Sequence, residues 1–241
     1  MNSSITYREI VYFVIDELKL ISDDSTFTPE HIIFLADKMR AKLLYERYKD
    51  AKKGDPARSN YQTINFKLIQ VPAIAGTNCS GTYLRTNIKL PTLLHIGIPR
   101  IYSADCFKNE QFTLVPIERM PFVGNNKWLE NFIYIAKGPD DYLYLKSSNP
   151  QFLYLKDLNV NAIFQDSKSA TELCSCNEKE CDILDRQFPL EETLVHTLIY
   201  NIVSELNFIS TTLSSWLNLS LYFSFIVTSL LSSGRKFEPL R

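Results

Sequence analysis

The chain has 241 residues, and its 26 Lys and Arg nearly balance 27 Asp and Glu, which gives a formal net charge of -1 at pH 7. This balance removes the bulk electrostatic argument for a protein that binds nucleic acid or an anionic membrane. Five cysteines are too few for a disulfide scaffold, and their odd number favours a reducing compartment. The 15 Phe, 13 Tyr and two Trp are the unusual feature, and they indicate pleated sheet or contact surface.

Two amphipathic helices are predicted at the start of the chain. Apolar residues recur at spacings of three and four from Tyr7 to Leu20, and Thr6 can serve as the N-cap. A second helix is predicted to start at Thr28-Pro29-Glu30 and to run to about Lys52. Its apolar stripe consists of Ile32, Leu35, Ala36, Met39 and Leu43, and the residues expected largely outside this stripe are Lys38, Arg40, Lys42, Arg47 and Lys49. The short connection between the two helices predicts an antiparallel helical hairpin over residues 1–56.

Residues 57–187 change to short extended runs separated by Pro and Gly, which predicts an inserted antiparallel β region. The predicted strands are Thr63 to Val71, Thr82 to Leu90, Pro99 to Ser103, Phe112 to Ile117, Phe132 to Ala136, Tyr142 to Lys146, Phe152 to Leu155 and Val160 to Phe164. The run Tyr142 to Lys146 is expected to pair with the similar run Phe152 to Lys156 across a turn at Ser148-Asn149-Pro150. A turn at Gly138-Pro139-Asp140-Asp141 is expected to precede this pair.

A last helix is predicted over residues 188–206. The string Phe188-Pro189-Leu190-Glu191-Glu192 is typical of a helix start, because two acids lie near the positive end of the helix dipole. The apolar face of this helix consists of Leu190, Leu194, Val195, Leu198, Ile199, Ile202 and Leu206. The simplest packing places it on the N-terminal hairpin. The predicted fold class is therefore α+β, with a bundle of the hairpin and the C-terminal helix and an inserted antiparallel β region.

Two motifs resemble ligand sites but lack an essential part. Gly76 to Tyr83 has the two-glycine spacing of a phosphate-binding loop, but Thr82 occupies the position of the lysine that contacts the phosphates. A β-turn is the preferred interpretation. Cys174, Cys176 and Cys181 could bind zinc with His196 or Asp185 as a fourth ligand, but their spacing is not that of a zinc knuckle. We expect reduced loop cysteines and no stoichiometric zinc.

Candidates for a general acid, a general base or a nucleophile are also few. The histidines are His31, His95 and His196, and each is expected to be a surface or packing residue. Cys79 and Cys106 could act as nucleophiles only beside a histidine that the sequence does not place. The acid pairs Asp16-Glu17, Asp23-Asp24 and Asp140-Asp141 are expected to be solvated. We therefore assign no catalytic, cofactor-binding or metal-binding residue and expect no enzyme activity.

The C-terminal segment, residues 207–241, has an atypical apolar composition. Leu206 to Gly234 contains 29 residues without a charged side chain or a histidine, which is long enough to cross a bilayer as a helix. Frequent Ser and Thr shorten the strongly apolar part to about Leu217 to Leu231, and its period fits a strand and a helix equally well. An exposed or loosely packed tail is preferred to membrane insertion. Deletion of Asn207 to Arg241 is expected to improve solubility and to leave the fold intact.

The order of short strings along the chain resembles the neck or connector ring proteins of crAss-like bacteriophages. These in turn are similar to podovirus head-to-tail adaptors and tail tubular proteins. The strings that carry the resemblance are Tyr7-Arg8-Glu9-Ile10, Asp16-Glu17-Leu18, Phe27 to Leu35 with Asp37-Lys38 and Arg40, Tyr61-Gln62-Thr63, Gly81 to Arg85, Ser147 to Leu155, Cys181 to Arg186 and Phe188 to Glu192. The resemblance spans roughly Ile5 to Leu206. After Leu206 the sequence departs from the charged, polar pattern expected of this family. The open explanations are a genuine tail, a lipid-facing segment and translation in a shifted reading frame.

The resemblance implies a virion structural protein. It implies a dodecameric ring in the head-tail connector, with the portal protein and a neighbouring neck or tail ring as partners. Phage DNA would pass through this ring without sequence-specific binding, and the protein would be made in the host bacterial cytoplasm and reside in the virion neck or tail. A closed ring needs two different lateral patches on each subunit, which would use the surplus of aromatic residues. The alternative from another class is a membrane-tethered protein with a cytoplasmic α+β domain and a C-terminal anchor.

Overall fold

Capping side chains define the two N-terminal helices in the computed structural model, which describes residues 5–21, 27–49, 54–76, 80–97, 99–103, 111–173 and 182–208. Helix α1 spans Tyr7–Ile21, and Thr6 and Glu9 form a capping box in which the Thr6 backbone N donates to Glu9 Oε2 at 2.8 Å. Helix α2 spans Pro29–Tyr48, and the Thr28 side chain caps it by accepting from the backbone N of His31. Both predicted helix starts are confirmed.

Two further helices follow the sheet strands in the chain. Helix α3 spans Ser167–Leu173 and was not predicted, because its seven residues are too few to display a helical period. Helix α4 covers residues 192–208, and the described part of the chain ends with it. The long helices share one hydrophobic core with the two ends of the β region. The buried residues of this core include Val14 and Leu18 of α1, Ile32, Ala36 and Leu44 of α2, and Leu198, Ile202 and Leu206 of α4.

Seven strands form a single mixed sheet that is nearly closed on itself. The strands are β1 Gln62–Ala73, β2 Ser80–Thr86, β3 Arg100–Tyr102, β4 Gln111–Leu114, β5 Phe132–Lys137, β6 Leu143–Ser147 and β7 Asp157–Ala162, and their order in the sheet is β3-β7-β1-β2-β6-β5-β4. Strand β1 is long enough to pair twice, with β7 over Gln62 to Lys67 and with β2 over Leu68 to Ala73. Pro72 lies at a register shift in the second half, where a missing N–H is tolerated.

The predicted antiparallel arrangement is wrong for one pair of strands. Strands β4 and β5 are parallel, from Gln111 opposite Phe132 to Leu114 opposite Ile135. A parallel pair needs a long crossover connection, and residues 115–131 supply it with two short 3-10 turns, Ile117–Arg119 and Lys127–Leu129. Sequence reasoning treated neighbouring extended runs as hairpins, and this long connection carries no periodic signal that would have corrected it.

The predicted strand Phe152 to Leu155 is also wrong. Pro150–Tyr154 is a 3-10 helix whose N-cap is Asn149, with the Asn149 side chain accepting from the backbone N of Gln151 at 3.0 Å. An Asn followed by Pro is a helix-start signal, and here it overrides the resemblance to the preceding strand. Phe152 and Leu155 are nevertheless buried in the core on one face of the sheet. The turn at residues 138–141 is confirmed as the connection between the antiparallel strands β5 and β6.

Candidate functional site

Residues that the sequence singled out for chemistry are dispersed where the structure describes them. His31 is exposed in the first turn of α2 and stacks on Phe27, His95 is exposed between β2 and β3, and His196 is exposed on α4. All five cysteines, and with them the possible zinc loop, lie outside the described residues. Within the described part of the chain, no three His, Cys, Asp or Glu side chains lie close enough together to hold a metal ion.

The other singled-out segments have structural positions. Gly76, with a φ of 72°, lies at the turn between the antiparallel strands β1 and β2, and Thr82 lies within β2. Asp140 Oδ2 accepts a hydrogen bond from the Tyr144 hydroxyl at 2.7 Å. Asp141 has a positive φ of 66° and pairs with Lys137 at 2.8 Å, and this hydrogen-bonded lysine lowers the pKa of the Asp141 carboxyl. These acids therefore fix the turn between β5 and β6.

A buried polar network that sequence reasoning missed joins the long helices to the β region. At its centre is Ser167, the first residue of α3, whose backbone N donates to both carboxylate oxygens of Asp37 at 2.9 and 3.0 Å. The Ser167 hydroxyl also donates to Asp37 and shares a hydrogen bond of 2.8 Å with the hydroxyl of Tyr7. Gln62 of β1 donates to the Ser167 carbonyl at 3.0 Å and to the Thr171 hydroxyl at 2.8 Å. Helices α1, α2 and α3 and strand β1 thus meet at one serine.

Arg40 is the second centre of this junction, and the prediction that it lies largely outside the apolar stripe of α2 is wrong. Its side chain is fully buried and donates to three backbone carbonyls. The acceptors are Pro189 O at 2.7 Å from Nε, Phe164 O at 2.9 Å from Nη1 and Asn60 O at 3.3 Å from Nη2. Arg40 lies one helical turn from the buried Ala36 and Leu44, and this spacing is the sequence signal that could have placed it inside.

Electrostatics in the junction are set by burial. Burial raises the pKa of Asp37 to about 6, although the hydrogen bonds from Ser167 and the charge of Arg40 oppose this shift. Burial likewise lowers the pKa of Arg40, and the carboxylate of Asp37 opposes that change. The combination of Ser, Asp and Tyr could suggest a nucleophile with its base, but Ser167 is 0% exposed. A substrate could reach it only by opening the core, so the junction is structural.

Glu191 forms a third link, at the start of α4. Its carboxylate forms an ion pair with Arg47 at 2.8 Å and accepts a hydrogen bond from the Tyr48 hydroxyl at 2.9 Å. Its backbone N donates to the side chain of Asn60 at 2.9 Å. From the sequence, Glu191 was expected only to interact favourably with the positive end of the α4 helix dipole. The structure adds that it ties the end of α2 and the turn before β1 to the start of α4.

Large aromatic side chains are exposed on several elements. Among the described residues, the two most exposed lie in the connection between β4 and β5, where Phe122 is 81% exposed and Trp128 is 82% exposed. Other exposed aromatic residues are Tyr12, Phe13, Phe34, Tyr45, Tyr102, Tyr154, Tyr200 and Phe208. Exposed aromatic residues in such number are typical of surfaces that contact another protein. Among the described residues, no helix is both long enough and apolar enough to span a membrane.

Two concave surfaces differ in charge. The first, which we call the arginine cleft, has a volume of about 610 Å³ and is lined by Asp55, Pro56, Arg58, Tyr61, Arg100, Tyr102 and Asn161. The second, the glutamate groove, lies between α1 and α4, has a volume of about 460 Å³ and is lined by Ile5, Glu9, Phe13, Glu17, Leu190, Glu192, Val195, His196 and Ile199. Arginine and tyrosine dominate the polar lining of the cleft, whereas glutamate and apolar residues dominate the groove.

Comparison with known proteins shows which family the chain belongs to. Residues 9–218 match the family model described as phage tail ring protein 2. The chain belongs to this family. It is also 50% identical over 205 residues to "Ring protein 2" of Bacteroides phage crAss001, a match that covers 83% of this chain and 90% of that protein. The resemblance drawn from the short strings is therefore confirmed.

Membership in the phage tail ring protein 2 family identifies a phage structural protein and a component of the virion. The match begins within α1 and includes the whole sheet and the described part of α4. It also continues to residue 218, beyond Leu206, where the sequence was expected to depart from its relatives. Residues 207–218 therefore belong to the part of the chain that the family model matches.

Proposed function

We propose that this chain is the subunit of a closed homo-oligomeric ring, dodecameric in number, in the head-tail connector between the portal and the tail. The observation that carries the proposal is the match to the phage tail ring protein 2 family, together with 50% identity to a phage protein named for a ring. In this role the portal protein and a neighbouring neck or tail ring are the partners. Phage DNA passes through the ring without sequence-specific binding.

Surface composition supports a ring that surrounds DNA without holding it. The formal net charge of -1 avoids the strong positive potential that would retain a polyanion through release of its counterions. The exposed aromatic residues supply the apolar contact area that subunit interfaces require. In this proposal the helices of residues 1–56 and 188–206 form one bundle that carries an inserted domain of residues 57–187.

Sedimentation velocity and electron microscopy of the full chain, with and without the portal protein, test the proposed function. We expect a closed ring, either alone or on the portal, at micromolar protein concentration. A ring of another copy number would change the stoichiometry but not the role. A strict monomer that also fails to bind the portal protein would contradict the proposal.

A further inference from the structure

In addition to Asp55 of the arginine cleft, four exposed charged side chains in the two concave surfaces have no partner within the described part of the chain. Arg58 and Arg100 belong to the arginine cleft, and Glu17 and Glu192 belong to the glutamate groove. All four are exposed, and none takes part in a hydrogen bond or ion pair with the described residues. By contrast, Arg8 pairs with Asp182 and Asp185. Unpartnered positive charge therefore exceeds unpartnered negative charge in the cleft, by two arginines to one aspartate, whereas both unpartnered charges of the groove are negative.

We propose that the arginine cleft of one copy binds the glutamate groove of the next copy, and that this contact is the lateral interface of the ring. This inference rests on the proposed function, because it names the partner surfaces of the same self-association. The net charges of the two surfaces are opposite in sign, because two free guanidinium groups outnumber the carboxylate of Asp55 in the cleft and the groove has two free carboxylates. Arg58 and Tyr61 line a neighbouring depression as well as the cleft, so this turn forms a ridge between the two and can project into a groove.

The apolar parts of the two surfaces also fit this pairing. Tyr102 is 47% exposed beside Arg100 on β3, the strand at the edge of the sheet. Phe13 is 53% exposed on the wall of the groove. A tyrosine brings apolar area and a hydroxyl together, which suits a groove lined by both apolar residues and carboxylates. The other titratable groups are Asp55, Tyr61 and Tyr102 in the cleft, and Glu9 and His196 in the groove.

The pairing gives the type of contact that a ring requires. A cleft that binds a groove uses two different patches, so each added copy leaves one free cleft and one free groove. Such a head-to-tail contact propagates from copy to copy and closes when the rotation per subunit divides a full turn. Guanidinium and carboxylate groups also form planar paired hydrogen bonds, which fix the angle of the contact as well as its strength.

Charge reversal of the full chain tests the proposal. One variant carries Arg58→Glu and Arg100→Glu, and a second carries Glu17→Arg and Glu192→Arg. We expect each reversal to raise the protein concentration for half-assembly by roughly 30- to 100-fold, because like charges then face each other. A matched control, Lys42→Glu with Lys49→Glu, reverses two exposed charges of α2 outside both surfaces and should assemble as the wild type does. An unchanged melting temperature shows that each variant is folded.

Mixing provides the decisive measurement, read by sedimentation velocity and electron microscopy. The cleft-reversed variant has two acidic surfaces and the groove-reversed variant has two basic ones, so neither self-assembles but an equimolar mixture can alternate around an even-numbered ring. We expect rings from the mixture and from a single chain that carries all four substitutions. Rings formed by either reversed variant alone would overturn this inference, and so would a mixture that forms no rings. In both cases rings of the wild type would still support the proposed function. Loss of portal binding without loss of self-assembly would overturn it too, and would assign the cleft to the portal. A wild type that never forms rings would contradict the proposed function itself.

Discussion

Replacement of Arg40 by methionine is the sharpest test of the buried junction. Methionine has a similar length and high helix propensity, so helix α2 should keep its course. The substitution removes the donors that serve Pro189 O at 2.7 Å, Phe164 O at 2.9 Å and Asn60 O at 3.3 Å. Among the described residues no other side chain donates to these carbonyls, and Arg40 is 0% exposed.

The expected loss of stability follows from these three bonds. A hydrogen bond from a charged donor contributes about 1.5 to 3 kcal/mol, and a buried carbonyl left without a donor costs a comparable amount. The two shorter bonds alone therefore suggest a loss of about 3 to 6 kcal/mol. Removal of the buried charge returns part of this, because a guanidinium is costly to desolvate. We expect Arg40→Met to lower the free energy of unfolding by about 3 kcal/mol or more.

Urea unfolding followed by circular dichroism measures this loss, at a protein concentration where the chain is monomeric. The unfolding midpoint should fall by about 1 M or more. Lys42→Met is the matched control, because Lys42 is exposed on the same helix and its replacement should change stability by less than about 0.5 kcal/mol. If the free energy of unfolding of Arg40→Met lies within about 1 kcal/mol of that of Lys42→Met, the hydrogen bonds of Arg40 to the three carbonyls do not stabilise the junction.

Two other predictions concern buried residues of the structure, and a third concerns the cysteine loop of the sequence. Burial raises the folded-state pKa of Asp37 from 3.8 to about 6, so protonated Asp37 should stabilise the fold near pH 4. This contribution should fall by about 3 kcal/mol as the pH rises from about 4 through 6. Urea unfolding of the wild type and of Asp37→Asn at several pH values measures the difference. Leu198→Asp should lower the melting temperature strongly, since Leu198 is 0% exposed in the core of the three long helices, whereas Thr197→Asp on the exposed face should not. Metal analysis should find no stoichiometric zinc, and one tightly held zinc per chain would contradict our interpretation of Cys174, Cys176 and Cys181.

Elements with local signals could be predicted from the sequence. Helix α1 has an apolar period and a cap, helix α2 begins with Thr28-Pro29, and the turn at residues 138–141 has Gly, Pro and two Asp. Each signal comes from physics that acts within a few residues of the chain. The family was also accessible in this way, since the order of short strings was sufficient to identify it.

Long-range pairing could not be predicted in the same way. The parallel register of β4 and β5 depends on how a 3-10-rich connection folds back, and no residue spacing encodes that path. The buried position of Arg40 depends on three carbonyls that are distant in sequence. A charged side chain on an apolar face is normally exposed, and only partners brought by the tertiary fold make its burial tolerable. The cleft and the groove are likewise assembled from separate segments.

The junction and the proposed interface are connected through the same residues. Arg40 binds the carbonyl of Asn60, in the turn that carries Arg58, and the carbonyl of Pro189, which precedes the groove residues Leu190 and Glu192. Asn60 also accepts from the backbone N of Glu191, so the turn of the cleft and the start of α4 are held together twice.

A head-to-tail contact closes into a ring only if every copy presents its two patches at the same angle, and otherwise it extends as an open helix. A rigid buried connection between the two patches meets that requirement, whereas an apolar contact that can slide would not. Arg40→Met should therefore produce open or irregular assemblies before it prevents association, in protein that is still folded.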